Sequence, residues 1–195
     1  MKKGRTLFIW DIHGCFNELK LLIKKLKLTS EDKVYFTWDL INKGPKSYKV
    51  VKYMYKHRDK FNVVLWNHDY EFLNYIAWKK VNDKLKHLNK KFEKLHKKLK
   101  EKPELLKYLK KLPLYIEEKK FILVHGWILP WKSLEKHTAE ELCYIRMYKW
   151  KPWHEYYTWD KKVIYGHWAV AWLNISSSAF LLEQIGHFLI SEIES

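Results

Sequence analysis

Five short apolar runs along the chain each stop abruptly at a polar residue able to bind metal. Leu7-Phe8-Ile9-Trp10 runs into Asp11 and His13, and Val34-Tyr35-Phe36-Thr37-Trp38 runs into Asp39. Val63-Val64-Leu65-Trp66 leads to Asn67 and His68, Phe121-Ile122-Leu123-Val124 to His125, and Val163-Ile164-Tyr165-Gly166 to His167. Continuous runs of this length, rich in β-branched and aromatic residues, suit strands buried on both faces. Helical patterns from Phe16 to Leu26 and from Ser47 to Lys56 lie between some of them. The alternation predicts a layered α/β fold. Sites in such folds collect beyond the carboxyl ends of strands, so all five polar clusters can converge.

Residues 79–111 have a different pattern. They hold 14 Lys against 4 acids, and Val81, Leu85, Leu88, Phe92, Leu95 and Leu99 recur at spacings of three and four. That spacing predicts an amphipathic helix of several turns. Pro103 interrupts it, a shorter helix follows, and Pro113 stops that. The segment 79–112 reads as a helical cap hairpin inserted in a single domain spanning 1–195. It is either a solvated helical face or a basic lid over an anionic substrate. The tail from Ser176 to Ser195 reads as a short closing hairpin.

Composition narrows the classes. The chain has 195 residues, enough to bury one substantial core. Cys15 and Cys143 cannot build a disulfide framework or a cysteine-based zinc site. No apolar run approaches the roughly 18 residues of a membrane helix. The apolar stretch after the basic first residues ends within four residues at Asp11, too short for a signal peptide, so a cytoplasmic location is expected. The net charge is +16, but only Arg5, Arg58 and Arg146 are arginines. Proteins that read nucleic acid lean on arginine, whose fork matches phosphate and guanine edges. A lysine excess fits a solvated surface, or general attraction to anionic substrates, better than nucleic-acid binding.

The candidate ligands mix carboxylate and amide oxygens with imidazoles. Such donors suit manganese, iron or zinc. Taken together, Asp11-Ile12-His13-Gly14, Asp39-Leu40-Ile41-Asn42-Lys43-Gly44-Pro45, Asn67-His68-Asp69, Val124-His125-Gly126 and Gly166-His167-Trp168 resemble the five motifs of the calcineurin-like metallophosphoesterases. The resemblance spans residue 7 to about residue 172. Its closest forms are the symmetrical bis(5′-nucleosyl)-tetraphosphatases and the small bacterial Ser/Thr phosphatases.

The resemblance implies a four-layer α/β/β/α sandwich and two divalent metal ions, manganese first, with iron, zinc, cobalt or nickel as alternatives. Asp11, His13 and Asp39 would hold one ion, and Asp39, Asn67, His125 and His167 the other. A hydroxide bridging the ions would attack phosphorus, and His68 would protonate the leaving oxygen. Arg146, Lys43 and Asn67 would bind phosphate oxygens. The implied substrate is a small nucleotide, foremost a dinucleoside polyphosphate. A phosphoprotein phosphatase is the alternative enzyme, and an inactive pseudoenzyme or a basic binding module for nucleic acid or a protein partner is the alternative from another class.

The chain departs from the family pattern at several positions. Asn42-Lys43-Gly44 stands where protein phosphatases of the family carry Asp-Arg-Gly, and that Asp orients the catalytic His. Asn42 brings no charge, which leaves Asp69 as the compensating carboxylate, and Lys43 replaces a bidentate Arg. Trp10, Trp38, Trp66 and Trp127 occupy positions where the family motifs have glycine. The chain has 11 Trp and 6 Gly, against an average glycine share of about 7%. Trp78, Trp131, Trp150, Trp159 and Trp172 also fall where turns or caps favour glycine. These nine read as UGA codons translated as glycine but written as tryptophan, whereas Trp153 and Trp168 read as genuine.

Overall fold

The structure is a computed structural model, and it describes residues 4–9, 12–36, 39–78, 83–145, 147–165, 179–181 and 190–193. In chain order the first elements are β1 (Thr6–Ile9), α1 (Phe16–Leu26), β2 (Lys33–Phe36), α2 (Ser47–Lys56), β3 (Phe61–Val63), α3 (Asn67–Trp78), α4 (Asn89–Lys100) and α5 (Pro103–Lys110). They are followed by β4 (Tyr115–Glu117), β5 (Phe121–Val124), α6 (Ala139–Tyr144), β6 (Met147–Tyr148), β7 (Lys151–Pro152), β8 (Lys162–Tyr165), β9 (Ala179–Leu181) and β10 (Ile190–Ile193).

Eight of the strands form two four-stranded sheets, ordered β10-β1-β2-β3 and β4-β5-β8-β9, and β6 and β7 pair with each other. Strands β1, β2 and β3 run parallel, as do β5, β8 and β9. The tail is therefore not a closing hairpin. Strand β9 pairs with β8 in one sheet, and β10 pairs antiparallel with β1 in the other. Parallel pairing with β8 needs a crossover connection, which a tight hairpin turn cannot supply.

The period-two alternation of each strand divides its side chains between separate cores. Ile9, Val34 and Phe36 face the helical side with Leu19, Val50, Met54 and Phe72. Their neighbours Phe8 and Tyr35 face Phe121, Leu123 and Ile164 of the second sheet. Ile122, Val124, Val163 and Tyr165 face the opposite side with Leu142. The result is the expected α/β/β/α layering. Phe8 pairs in register with Tyr35, and their rings stack at 5.4 Å. Phe121 meets both edge-on at 5.1 and 5.2 Å, so three aromatic side chains join the two sheets. Each such pair contributes about 0.5–1.5 kcal/mol beyond its burial.

Both helices expected early in the chain form over the predicted residues. The later periodicity, predicted as one helix over 81–99, is divided. A 3₁₀ turn at Asp83–Leu88 precedes α4, and 79–82 lie outside the described residues. Phe92, Leu95 and Leu99 of α4, with Leu105 and Leu109 of α5, are buried in the same core as α2 and α3. Among the described residues no helix is long and apolar enough to cross a membrane.

Candidate active site

The carboxyl ends of β1 and β2 lead into two loops that lock together. The His13 and Gly14 N–H groups donate to the carbonyls of Asp39 and Leu40 at 2.8 and 3.0 Å, and Gly44 N–H donates to the His13 carbonyl at 2.6 Å. The loops carry consecutive left-handed residues, His13 and Gly14 (φ 40° and 74°) and Asn42 and Lys43 (φ 76° and 44°). Such conformations are costly for residues other than glycine and persist where surrounding structure over-determines them. Gly44 is required by close approach, since a Cβ there would lie 2.4 Å from the His13 carbonyl oxygen.

Asp39, His13 and His68 meet at this junction. Asp39 Oδ2 lies 3.6 Å from His13 Nδ1 and 3.7 Å from His68 Nε2, with all three side chains largely buried. The first turn of α3 adds the His68 backbone N–H, which donates to Asp39 Oδ1 at 3.2 Å, a favourable place for a carboxylate. Lys43 Nζ contacts His13 Nε2 at 2.9 Å. Burial, reinforced by the Lys43 charge, lowers the pKa of His13 to about 3 and that of His68 to about 4. Both rings are therefore neutral near pH 7, the form in which an imidazole can ligate metal.

The second half of the expected set begins at Asn67, the residue before His68. His125 Nε2 and Asn67 Oδ1 are 2.8 Å apart. The loop after His125 is held by Gly126 N–H donating to the Leu142 carbonyl at 2.6 Å. A Cβ at Gly126 would crowd that carbonyl at 2.9 Å. Trp66, fully buried, packs edge-on against His125 with ring centroids 4.0 Å apart.

The sequence expectations divide by residue. His13, Asp39, His68 and Lys43 come together, and Asn67 joins His125. Asp11, His167 and Arg146 lie outside the described residues. Among the described residues no group of three His, Cys, Asp or Glu is placed to hold a metal ion. Two of the six expected ligands, Asp11 and His167, are not among those residues. The donors that are described, a carboxylate, an amide oxygen and imidazoles, fit a hard or borderline divalent cation.

Asp69 does not stand in for the missing charge beside His68. Its Oδ2 accepts from Leu40 N–H at 3.4 Å, so it braces the loop after Asp39. Burial raises its pKa well above the usual carboxylate range. The partner of His68 is Asn42, whose Nδ2 donates to His68 Nδ1 at 3.1 Å and leaves the ring proton at Nε2. Asn42 thus contacts the His68 ring from the position where the resemblance places the family's Asp, and it does so without charge.

A buttress behind Asn67 escaped the sequence reading. Tyr144, at the end of α6, donates its hydroxyl proton to buried Glu71, and the same hydroxyl lies 3.4 Å from the Asn67 carbonyl. The available signal was Thr138-x-x-Glu141, a capping box that starts α6: Glu141 N–H donates to Thr138 Oγ1 at 3.2 Å, and Thr138 N–H to Glu141 Oε2 at 2.7 Å. Cys15 is half-buried and Cys143 buried, both as free thiols.

No protein-family profile matches the chain. A symmetrical bis(5′-nucleosyl)-tetraphosphatase of Buchnera aphidicola subsp. Baizongia pistaciae is 36% identical over 144 residues, covering 72% of this chain and 49% of that protein. The chain spans about half the length of the curated relatives it matches. A crystal structure described as that of a candidate diadenosine tetraphosphatase superposes with a TM-score of 0.76 at 22% identity, covering 97% of this chain and 89% of the other. A metallophosphoesterase from Sphaerobacter thermophilus gives 0.56 at 17% identity, covering 85% and 61%. In fold the chain matches solved metallophosphoesterase structures, and in sequence it is similar to proteins named symmetrical bis(5′-nucleosyl)-tetraphosphatase.

Proposed function

We propose that the chain is a metal-dependent phosphoesterase that hydrolyses a phosphoanhydride bond of a dinucleoside polyphosphate. The observation that carries this reading is the meeting of Asp39 with His13 and His68 within 3.6–3.7 Å, beside the Asn67–His125 pair. Relatives named symmetrical bis(5′-nucleosyl)-tetraphosphatase support the choice of substrate. Asp11, His13 and Asp39 would hold one divalent ion, and Asp39, Asn67, His125 and His167 a second, with manganese the proposed metal. Two such ions supply charge neutralisation at the phosphoryl oxygens and a more acidic water.

The chain's own residues do the rest. Lys43, with Arg146 and the Asn67 amide, binds phosphate oxygens. Asn42 holds the His68 ring so that Nε2 faces the leaving oxygen; the ring delivers a proton there as imidazolium, with its Nδ1–H donated to the Asn42 amide oxygen once that amide turns over. An anionic substrate beside His68 opposes the Lys43 charge that, after burial, depresses its pKa. Asp69 positions Asp39 and Asn42 through the loop between them. Two free thiols and a nucleotide substrate fit a cytoplasmic protein.

The test is turnover of diadenosine tetraphosphate against a phosphopeptide, with manganese added to chelator-stripped protein. Symmetrical cleavage of the nucleotide in preference to the peptide is expected, with two ions bound per chain. Preference for the phosphopeptide would move the assignment to a phosphoprotein phosphatase. Absence of both turnover and stoichiometric metal would move it to a pseudoenzyme or a binding module.

Glycine in place of tryptophan is proposed for the nine positions named above. The strongest support is Trp150, which is 95% exposed at φ 71° in the two-residue turn between β6 and β7. A turn with positive φ at both central residues strongly favours glycine at the second. Trp66, Trp127 and Trp159 are packed: the first two are buried, and Trp159 donates its indole N–H to the Pro130 carbonyl at 2.7 Å. Trp78 and Trp131 are exposed, and Trp10, Trp38 and Trp172 lie outside the described residues. Reading the source codons tests all nine, and UGG at these positions would refute the proposal.

A further inference from the structure

A cavity of about 450 Å³ opens between α4 and the loop that enters α2, next to the candidate active site. Lys43, Lys46, Lys49, Lys91, Lys94 and Lys98 line it, and no acidic side chain does. None of these six lysines forms an ion pair with a carboxylate among the described residues. Lys97, on the outer face of α4, does pair, with Glu93 at 3.5 Å.

The helical repeat explains the placement. Phe92, Leu95 and Leu99 bury one stripe of α4 in the core. Lys91, Lys94 and Lys98 follow at i, i+3 and i+7 along the flank of that stripe, so burying the stripe aligns the three ammonium groups on the cavity. From Lys91 to Lys98 they extend over about 10 Å of helix axis, at 1.5 Å per residue. Opposite them, the first turn of α2 contributes Ser47 and Tyr48 and holds no acidic residue. Six like charges around one cavity repel each other, and a multiply charged anion relieves that repulsion.

Lys43 belongs to both places. Its Nζ touches His13 Nε2 at 2.9 Å, and its carbonyl accepts from Lys91 Nζ at 3.3 Å. We infer that this lysine-lined cavity is an oligophosphate subsite, holding the linked phosphates of the substrate that extend away from the reacting phosphorus. The inference rests on the phosphoesterase reading and adds a place for the substrate's phosphate chain: a cavity fitted to three or more linked phosphates rather than to a single phosphate on a peptide. The reacting phosphoryl group would sit at Asp39 and His68, and the remainder of the chain would pass Lys43 to reach Lys91, Lys94 and Lys98.

The experiment has a binding arm and a turnover arm. In the binding arm, calorimetric titration of chelator-treated protein compares inorganic tripolyphosphate with inorganic orthophosphate. Tripolyphosphate is expected to bind at least tenfold more tightly. The double variant Lys94→Glu/Lys98→Glu should lose at least tenfold of that affinity. Lys107→Glu/Lys110→Glu on the exposed face of α5, which changes net charge equally, should lose little. Equal losses in the two double variants would overturn the inference, because bulk charge would then account for binding.

In the turnover arm, Lys94→Glu/Lys98→Glu should lower kcat/KM for diadenosine tetraphosphate at least tenfold more than kcat/KM for an aryl phosphomonoester. An equal fall for both substrates would also overturn it. If the unaltered protein hydrolyses neither substrate, the phosphoesterase reading fails, and the binding arm still decides whether the cavity takes oligophosphate.

Discussion

Replacing Trp150 by glycine should make the chain more stable. Trp150 is 95% exposed, so its exchange sacrifices almost no burial. Its backbone sits at φ 71°, after Lys149 at φ 42°, in the tight turn joining β6 to β7. A left-handed conformation costs an L-residue roughly 1–2 kcal/mol. Glycine avoids that cost but loses about 0.5–1 kcal/mol more chain entropy on folding. The expected gain is therefore about 0.5–1 kcal/mol, or about 1–4 °C in Tm for a chain of this size. Urea denaturation followed by circular dichroism, with a thermal scan beside it, measures it. An unchanged or lowered midpoint would refute the backbone-strain reasoning. Trp66→Gly supplies the contrast. It removes a fully buried ring packed on His125 at 4.0 Å. Loss of such an aromatic side chain costs about 3–5 kcal/mol. If Trp66→Gly left stability intact, the indole would not be holding that part of the inter-sheet core.

Further outcomes are expected elsewhere in the molecule. His68→Ala should lower turnover by about 10²–10⁴-fold, the range for a general acid, while metal content measured by emission spectroscopy stays at two ions per chain. A loss of metal together with activity would instead make His68 a ligand. Asp32 is bonded to the Arg5 guanidinium at 2.7 Å, which holds its carboxyl well below the usual range. Its stabilisation is present above the unfolded value near about 4 and is lost as pH falls through the folded value. Asp32→Asn should therefore show a smaller drop in urea midpoint than the parent between pH 5 and pH 2. His137 accepts from Leu129 N–H at 2.8 Å and donates to the Ser133 carbonyl at 3.0 Å, and burial lowers its pKa. The neutral ring's contribution is present above about 6.5 and fades as pH falls below that value. His137→Gln should flatten the stability profile between pH 8 and pH 5, and an unaltered slope would remove His137 as its source.

Much of the fold was legible because it follows from periodicities that the chain carries locally. Apolar runs such as Phe121–Val124, short and rich in β-branched and aromatic residues, suit strands covered on both faces. The stripes of α1 and α2 specify helices covered on one face. A polar residue after every run marked the edge where a site would form, and the motif resemblance supplied candidate roles for the residues there. Tertiary structure decided which side chains face each other across these elements. Asn42 rather than Asp69 turns toward His68, because interlocked hydrogen bonds hold the loops after β1 and β2 in left-handed conformations no local pattern encodes. Tyr144 reaches Asn67 across 77 residues of sequence. Strands β9 and β10 joined two different sheets, β9 beside β8 and β10 beside β1, pairings between distant segments that no local pattern announces. A sequence fixes periodicity residue by residue. Pairings between distant segments depend on how the layers close, and that is where the site acquired its geometry.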